Sequence, residues 1–361
     1  MRQDLVKLGR FMLFRALWLL LALVVAIYLT VIIANMGGAL DEIRRAEIRA
    51  DIATGIVMNP ANKGLNSTVL QEMIEAETQR AFERLGLNEP FFPKRSLQYL
   101  WNAVSLKLGR AEYMTSDAGS SQVRLILLER LPTTLLLFAT AQLIIFFVAL
   151  FAALVLSRHY GSSFDKLVIG LAPSSAAPGW FYGIFLILIF AGVLRVLPWG
   201  GMIDVPVPEN RWLYALSVGK HMILPVTAVI LGNLFANMYS WRTFFLIYSS
   251  EDYVELAKAK GLATRTVDNR YILRPTMPPI LTSLLLVLIT MWMGQIVLET
   301  VFNWPGIGRV FYFATQISDT PVIIGVIVIF GYLLAVTVFV LDFIYAILDP
   351  RVRLGAGAGP R

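Results

Sequence analysis

Long apolar runs recur along the chain at about 11–36, 131–156, 167–194, 222–247, 277–302 and 322–348. Each exceeds the roughly 20 residues a helix needs to cross a hydrocarbon core about 30 Å thick, which predicts an all-α polytopic membrane protein with six transmembrane helices. The first run is too long for a signal-peptide core and has no small-residue cleavage site before GGALDE, so it is expected to stay as an anchor. Residues 1–37 then form an N-terminal cytoplasmic segment and the first span. The polar stretch at 38–125 is too long for a hairpin and is expected to fold as an extracytoplasmic, mainly helical insert. Within it Leu70, Met73, Ile74, Ala81, Phe82 and Leu85 recur at helical spacing. Thr68-Val-Leu-Gln71 has the form of a capping box and Gly86 that of a stop, which predicts a helix of about 17 residues. Residues 126–350 hold the other five spans, and the low-complexity tail at 351–361 follows them.

Composition agrees with the pattern. The chain has 361 residues, 57% hydrophobic and 15% charged, where soluble domains average about 25% charged. Its net charge of +7 could suggest a nucleic-acid partner, but no basic stripe with interleaved aromatics is present, and the charge is distributed by side instead. With the N-terminus inside, the inner segments carry Arg2, Lys7, Arg10 and Arg15, then Arg158 and Lys166, then Arg242, Lys258, Lys260, Arg265, Arg270 and Arg274, and finally Arg351, Arg353 and Arg361. The short outer loops carry Arg195, Arg211, Lys220 and Arg309. The bias toward one side predicts cytoplasmic N- and C-termini in a cell (inner or plasma) membrane. Cysteine is absent, which excludes disulfides, thiolate metal sites and a cysteine nucleophile.

Residues 250–282, SEDYVELAKAKGLATRTVDNRYILRPTMPPILT, interrupt the apolar pattern on the predicted cytoplasmic side. Ser249 or Ser250 can cap a helix whose first turn carries Glu251 and Asp252, whose last turn carries Lys258 and Lys260, and which stops at Gly261. At about ten residues such a helix is too short to persist alone. Tyr253, Leu256 and Ala257 fall on one face, and Ala257 with Gly261 leaves little bulk there, as expected of a helix that is docked upon. Pro275, Pro278 and Pro279 then start the fifth span close by. The alternative from these residues alone is an amphipathic helix lying on the lipid surface.

Glu255-Leu256-Ala257, then Gly261, then the prolines resemble the EAA loop of ABC importer permeases, with Leu256 where the general motif has alanine. EDYVELAKAKGL at 251–262, ETVFNWPGIGRV at 299–310 and DFIYAILDPRVRLG at 342–355 are similar to the binding-protein-dependent dipeptide/oligopeptide/nickel class, as are HMILPVTAV at 221–229 and ERLPTTLLL at 129–137. NMGGALDEIRR at 35–45 departs from the Pro-Gly-Asp-Pro-like stretch of many peptide permeases. The resemblance implies a type I ABC importer permease fold, with residues 126–350 as a five-helix permease core and a cytoplasmic coupling loop at about 249–275. It implies ATPase-coupling residues Tyr253, Glu255, Leu256, Ala257 and Gly261. It implies as partners a second homologous permease, two cytoplasmic ABC ATPases and an extracytoplasmic substrate-binding protein. No G-x-x-x-x-G-K-[ST] phosphate loop occurs, so ATP and magnesium would be used by the partner subunits and this chain would bind no cofactor. Peptides are the expected cargo, with oligosaccharides or nickel chelates as the alternative.

Other constellations are weaker. Ser163 and Lys166 fit a bare Ser-x-x-Lys pattern without the rest of a hydrolase constellation, and His159 and His221 lack a second ligand at metal spacing, so neither a catalytic nor a metal site is expected. Asp342 sits inside the sixth run, where an acid is either functional or paired. The fifth run carries Thr290, Met291, Trp292, Met293, Gly294, Gln295 and Glu299. Adaptable methionines and uncharged hydrogen-bonding groups suit a substrate pathway, for which Met291, Gln295 and Glu299 are the candidates. An ion-coupled secondary carrier would place ionisable groups or broken helices at the midplane of repeated halves, and neither is evident.

Overall fold

A computed structural model describes residues 2–35, 38–291 and 295–348. In chain order the helices are α1 (Arg2–Ala34), α2 (Ala39–Met58), α3 (Ser67–Arg84), α4 (Ser96–Val104), α5 (Val123–Arg158), α6 (Ser163–Leu171), α7 (Gly179–Leu186), α8 (Arg211–Ser249), α9 (Asp252–Ala259), α10 (Thr264–Thr266), α11 (Arg274–Met291), α12 (Ile296–Val301), α13 (Ile307–Gln316) and α14 (Thr320–Leu348). Among the described residues the only extended pairing is an isolated bridge between Arg110 and Gln122.

Helices long and apolar enough to cross a membrane run over Leu8–Ala34, Val123–Arg158, Arg211–Ser249 and Thr320–Ala346. They contain the predicted runs at 11–36, 131–156, 222–247 and 322–348 to within about two residues at an end, and two extend well beyond them. The predicted run at 167–194 is not one straight helix. Ser163–Ala176 and Gly179–Val193 meet at 97°, because Pro178 lacks an N–H and drives Ala177 to the extended φ −90°, ψ 132°. The run at 277–302 divides into α11 and α12, with 292–294 outside the described residues. The tail at 351–361 also lies outside them.

The chain divides into two compact units, one of residues 1–12, 130–312 and 336–361, the other of 13–129 and 313–335. In the first, Leu137, Phe138, Ala141 and Ile145 of α5 share a core with Leu224, Ala228 and Val229 of α8 and with Leu298, Phe302 and Trp304. Asp165 of α6 and Arg242 of α8 are both buried and form a bidentate pair, with Arg242 Nη2 donating to Asp165 Oδ2 at 2.7 Å and Nε donating to Oδ1. Gly161 N donates to the same carboxylate at 2.9 Å, and the guanidinium lies 5.1 Å from the Tyr160 ring centre. Arg242 therefore belongs to an internal tie rather than to the exposed charges of a loop. The loop after Val193 is held to α8 by Asp204, whose carboxylate accepts from Ser217 Oγ at 2.8 Å and faces Lys220 at 3.4 Å. The Ser217 hydroxyl, and then Lys220, keep that carboxyl below the ordinary aspartate range.

In the second unit Leu23, Ile27 and Val31, one stripe of α1, pack on Ala103 and Val328, while Leu17, Trp18, Leu21, Val25 and Leu29 of the same helix stay exposed, as a lipid-facing surface requires. α3 ends as expected, with Gly86 at φ +69° and the Gly86 and Leu87 amides donating to Glu83 and Phe82 carbonyls at 3.1 and 2.9 Å. Its start differs, because Asn66 and not Thr68 occupies the cap position and no side chain caps it. α2, not anticipated as a helix, is clamped to α3 by Arg45, which donates to Leu87 O at 2.5 Å and lies 4.8 Å from the Phe82 ring centre. Asp41 accepts from Arg95 and, at 3.0 Å, from Tyr99 Oη. Burial and then the Asp41 charge push the Tyr99 phenol up to about 12.

The Asp165–Arg242 tie carries a direct test. Asp165→Ala would strand a buried guanidinium, at a cost of about 3–5 kcal/mol, whereas a double apolar replacement of both residues would recover most of the loss. Thermal melts of the detergent-solubilised variants should rank parent and double variant together, above the single one.

Candidate functional site

The charged stretch folds as α9 and a tight turn. Its end is a Schellman motif: Gly261 has φ +71°, its N–H donates to Lys258 O at 2.9 Å and Leu262 N donates to Ala257 O at 3.4 Å. An added Cβ at Gly261 would meet nothing within 4 Å, so the left-handed φ and not crowding demands glycine. Its start corrects the expected cap. Glu251 occupies the cap position without a side-chain bond, while Ser249 Oγ and Ser250 Oγ turn back to Leu246 O and Ile247 O at 2.8 and 2.9 Å and close α8.

The expected face also splits. Val254 and Ala257 are buried against Val267, Tyr271 and Ile272, which holds a helix too short to persist alone. Tyr253 and Leu256 stay 39% and 56% exposed, with Glu255 and Lys258 exposed beside them. Ala257 therefore faces inward, and Val254, overlooked in the sequence, is its partner; the signal was their i, i+3 spacing. The segment that α9 packs on, Val267–Leu273, runs directly into α11. Asp268 of that segment pairs with Arg158 at the end of α5 at 3.1 Å.

The second motif, at 299–310, forms a closed clamp. Glu299 is fully buried; Oε1 accepts from Thr134 Oγ1 at 2.9 Å and Oε2 from Arg309 N at 3.0 Å. Thr134 Oγ1 in turn accepts from Ile307 N at 2.8 Å. The carboxylate and the hydroxyl thus satisfy the opening amides of α13, where an anion also suits the helix dipole. Trp304 Nε1 donates to Thr133 O at 3.0 Å, fixing the hairpin to α5. A Cβ on Gly306 would lie 2.4 Å from the Glu299 carboxyl carbon, so the glycine makes room for the carboxylate. Of the expected pathway residues, Met291 is buried at the end of α11, Gln295 is half-buried at the start of α12, and Glu299 is enclosed in this clamp; Trp292, Met293 and Gly294 lie outside the described residues. His159, just past the end of α5, bonds through Nδ1 to Val155 O of that helix at 3.0 Å, and His221 to Ser217 O of its own helix α8 at 2.8 Å. Asp342 is half-buried in α14.

Membrane-length apolar helices with a short, outward-presented polar helix among them define a polytopic membrane protein. Residues 145–354 match the family described as binding-protein-dependent transport system inner membrane component. The chain belongs to that family. It is 28% identical to the oligopeptide transport system permease protein AppB of Bacillus subtilis (strain 168), over 86% of this chain and 98% of that protein. It is 31% identical to the di/tripeptide transport system permease protein DppB of Pseudomonas aeruginosa (strain UCBPP-PA14), over 76% of this chain and 84% of that protein. The chain is thus a multi-pass inner-membrane permease component of an ABC importer and not an enzyme, and systems of this kind operate with ATPase and binding-protein partners.

The clamp is testable by graded substitution. Glu299→Ala strands two buried donors at about 1–3 kcal/mol each, and Gly306→Ala forces the carboxylate aside at a comparable cost. Glu299→Gln keeps the shape and one acceptor. Melting temperatures in detergent should fall in the order parent, Gln variant, then the two Ala variants.

Proposed function

We propose that this chain forms half of the translocation pathway of a peptide importer, paired with a second homologous permease above two cytoplasmic ABC ATPases that use ATP and magnesium. The observation that carries this reading is α9, which buries Val254 and Ala257 on the segment leading into α11 while presenting Tyr253 and Leu256 outward. Tyr253, Glu255 and Leu256 would seat in an ATPase cleft, with Ala257 and Gly261 fixing the helix behind them. Closure of the ATPases would push α9, and the push would pass through Val267–Leu273 to α11 and through Asp268 and Arg158 to α5. The permease pair would thereby alternate between inward-open and outward-open forms. Met291 and Gln295 would line the pathway, and Glu299 would hold its outer wall. Peptide cargo is supported by the names of both relatives. Six spans, cytoplasmic termini and an extracytoplasmic insert at 38–125 that meets the binding protein complete the reading, supported by the Lys and Arg bias.

Gly261→Val tests the coupling element. A β-branched residue at that φ costs on the order of 1–2 kcal/mol and distorts the end of α9, whereas Gly261→Asn tolerates the conformation. The Val variant should insert and pair normally yet lose ATPase association or ATP-driven peptide uptake; the Asn variant should retain both. Lys258→Glu should change little, because an exposed charge contributes about 0–1 kcal/mol. Parent-like uptake and ATPase binding by the Val variant would instead favour a helix that merely rests on lipid.

Orientation has its own test, made clean by the absence of native cysteine. A membrane-impermeant maleimide added to intact spheroplasts should label Lys63→Cys in the insert and spare Arg265→Cys beside α9. The reverse pattern would invert the topology.

A further inference from the structure

A cavity of about 550 Å3 opens in the second unit, where the Ala34 end of α1 and the Thr320 end of α14 meet α2 and α4. That volume is typical of sites for small ligands. Its floor is apolar, formed by Val31, Ala103, Leu106, Leu108 and Ile324. Its rim is basic, formed by Arg44, Lys107, Arg110 and Arg124, against one carboxylate, Glu47. Two of these cations are already neutralised, Arg44 by Glu47 at 2.6 Å and Arg110 by Asp51 at 2.9 Å. Lys107 and Arg124 are exposed and make no ion pair or side-chain hydrogen bond among the described residues. Two uncompensated cations thus stand over an apolar floor.

Depth decides between ligands of that character. Val31 lies in the last turn of α1 and Ile324 opens the second turn of α14, both membrane-length helices, so the floor lies at the edge of the hydrocarbon and the rim at headgroup level. An anion held there comes with acyl chains that can cover the floor, and cations beside a membrane surface attract acidic lipids. We propose that this cavity binds an anionic phospholipid, its phosphate at the Lys107–Arg124 rim and its first methylenes on Val31 and Ile324. The lipid would fasten the insert to the spans without using any residue of the coupling segment. The site needs only that α1 and α14 cross the membrane; its assignment to the outer leaflet rests on the orientation proposed above.

Native mass spectrometry of the purified importer, with the full chain in detergent, tests this directly. Phosphatidylglycerol should be retained in preference to phosphatidylcholine. Lys107→Gln/Arg124→Gln should lower its retention roughly tenfold or more, the effect of two juxtamembrane cations. Ile324→Trp, which fills the floor without touching charge, should lower it as well. Equal retention of the two lipids, or unchanged retention by both variants, would overturn the proposal. Displacement by glycerol phosphate at the same concentration would make this a free-anion site, and displacement by trialanine a peptide site; either would refute the lipid assignment. Retention in detergent is independent of topology, so an inverted maleimide pattern would sink the orientation and leave the lipid site standing.

Discussion

Lipid offers no hydrogen bonds, so wherever a helix stops inside a membrane protein the chain itself must satisfy the freed backbone groups. The hairpin between α12 and α13 meets that demand with one carboxylate and one hydroxyl. Glu299 accepts from Arg309 N and from Thr134 Oγ1, and Thr134 accepts from Ile307 N, so the same three bonds that close α13 also lock it to α5. The fit leaves no space for a side chain at Gly306, and Trp304 seals the hairpin with its whole ring buried. The motif at 299–310 is therefore one device, in which the acid, the tryptophan and the glycines are each required by the others.

Where water or a partner can reach the backbone, helix ends are simpler. α3 and α9 both finish on a left-handed glycine whose turn recovers two carbonyls, and neither has a side-chain cap at its start. What α9 lacks in length it gains from packing. Val254 and Ala257 anchor it to Val267, and Arg158 pins the same segment through Asp268. A load applied to Tyr253 or Leu256 thus meets a short, braced element rather than a flexible loop, and its continuation into α11 passes through no glycine. Packed side chains and an ion pair have discrete arrangements, which is what lets a small displacement become a switch between two states.

The parts of this structure that were legible in advance are those written in short sequence windows. Apolar runs longer than a bilayer is thick announced the spans, and Gly261 and Gly86 announced the ends of α9 and α3; the bend at 97° was not anticipated, although Pro178, which restricts Ala177, carried its signal. The failures share one cause. Ser249 and Ser250 offered plausible caps, but a serine hydroxyl bonds equally well to the carbonyl of the turn behind it, and local spacing does not choose between the two; Thr68 already lies inside α3, one residue past Ser67 where the helix begins. α2 carries charges around much of its circumference, so its weak apolar stripe does not single it out as a helix of the insert until α3 is laid against it. Asp165 and Arg242 are 77 positions apart, and Thr134 and Glu299 are 165 apart. No periodicity within a run reports such a pair.

Charges buried in or beside apolar runs are by default suspected of function, because desolvating them is expensive. Here the expense is met in three instances by structure. Asp165 and Arg242 neutralise each other, and Glu299 is occupied by donors on both oxygens. A group that recognises a passing solute needs hydrogen-bonding capacity left over, which distinguishes these residues from Gln295. That side chain is half-buried at the cap position of α12 and makes no hydrogen bond among the described residues, which suits it to the pathway role proposed above. Uncharged, it would in that role contact cargo of either sign without the desolvation cost of an ion. Glu299 and Gln295 thus lie one turn apart with opposite fates: the acid is closed into the clamp at the start of α13, and the amide, at the cap position of α12, keeps the hydrogen-bonding capacity that the pathway role proposed above would use.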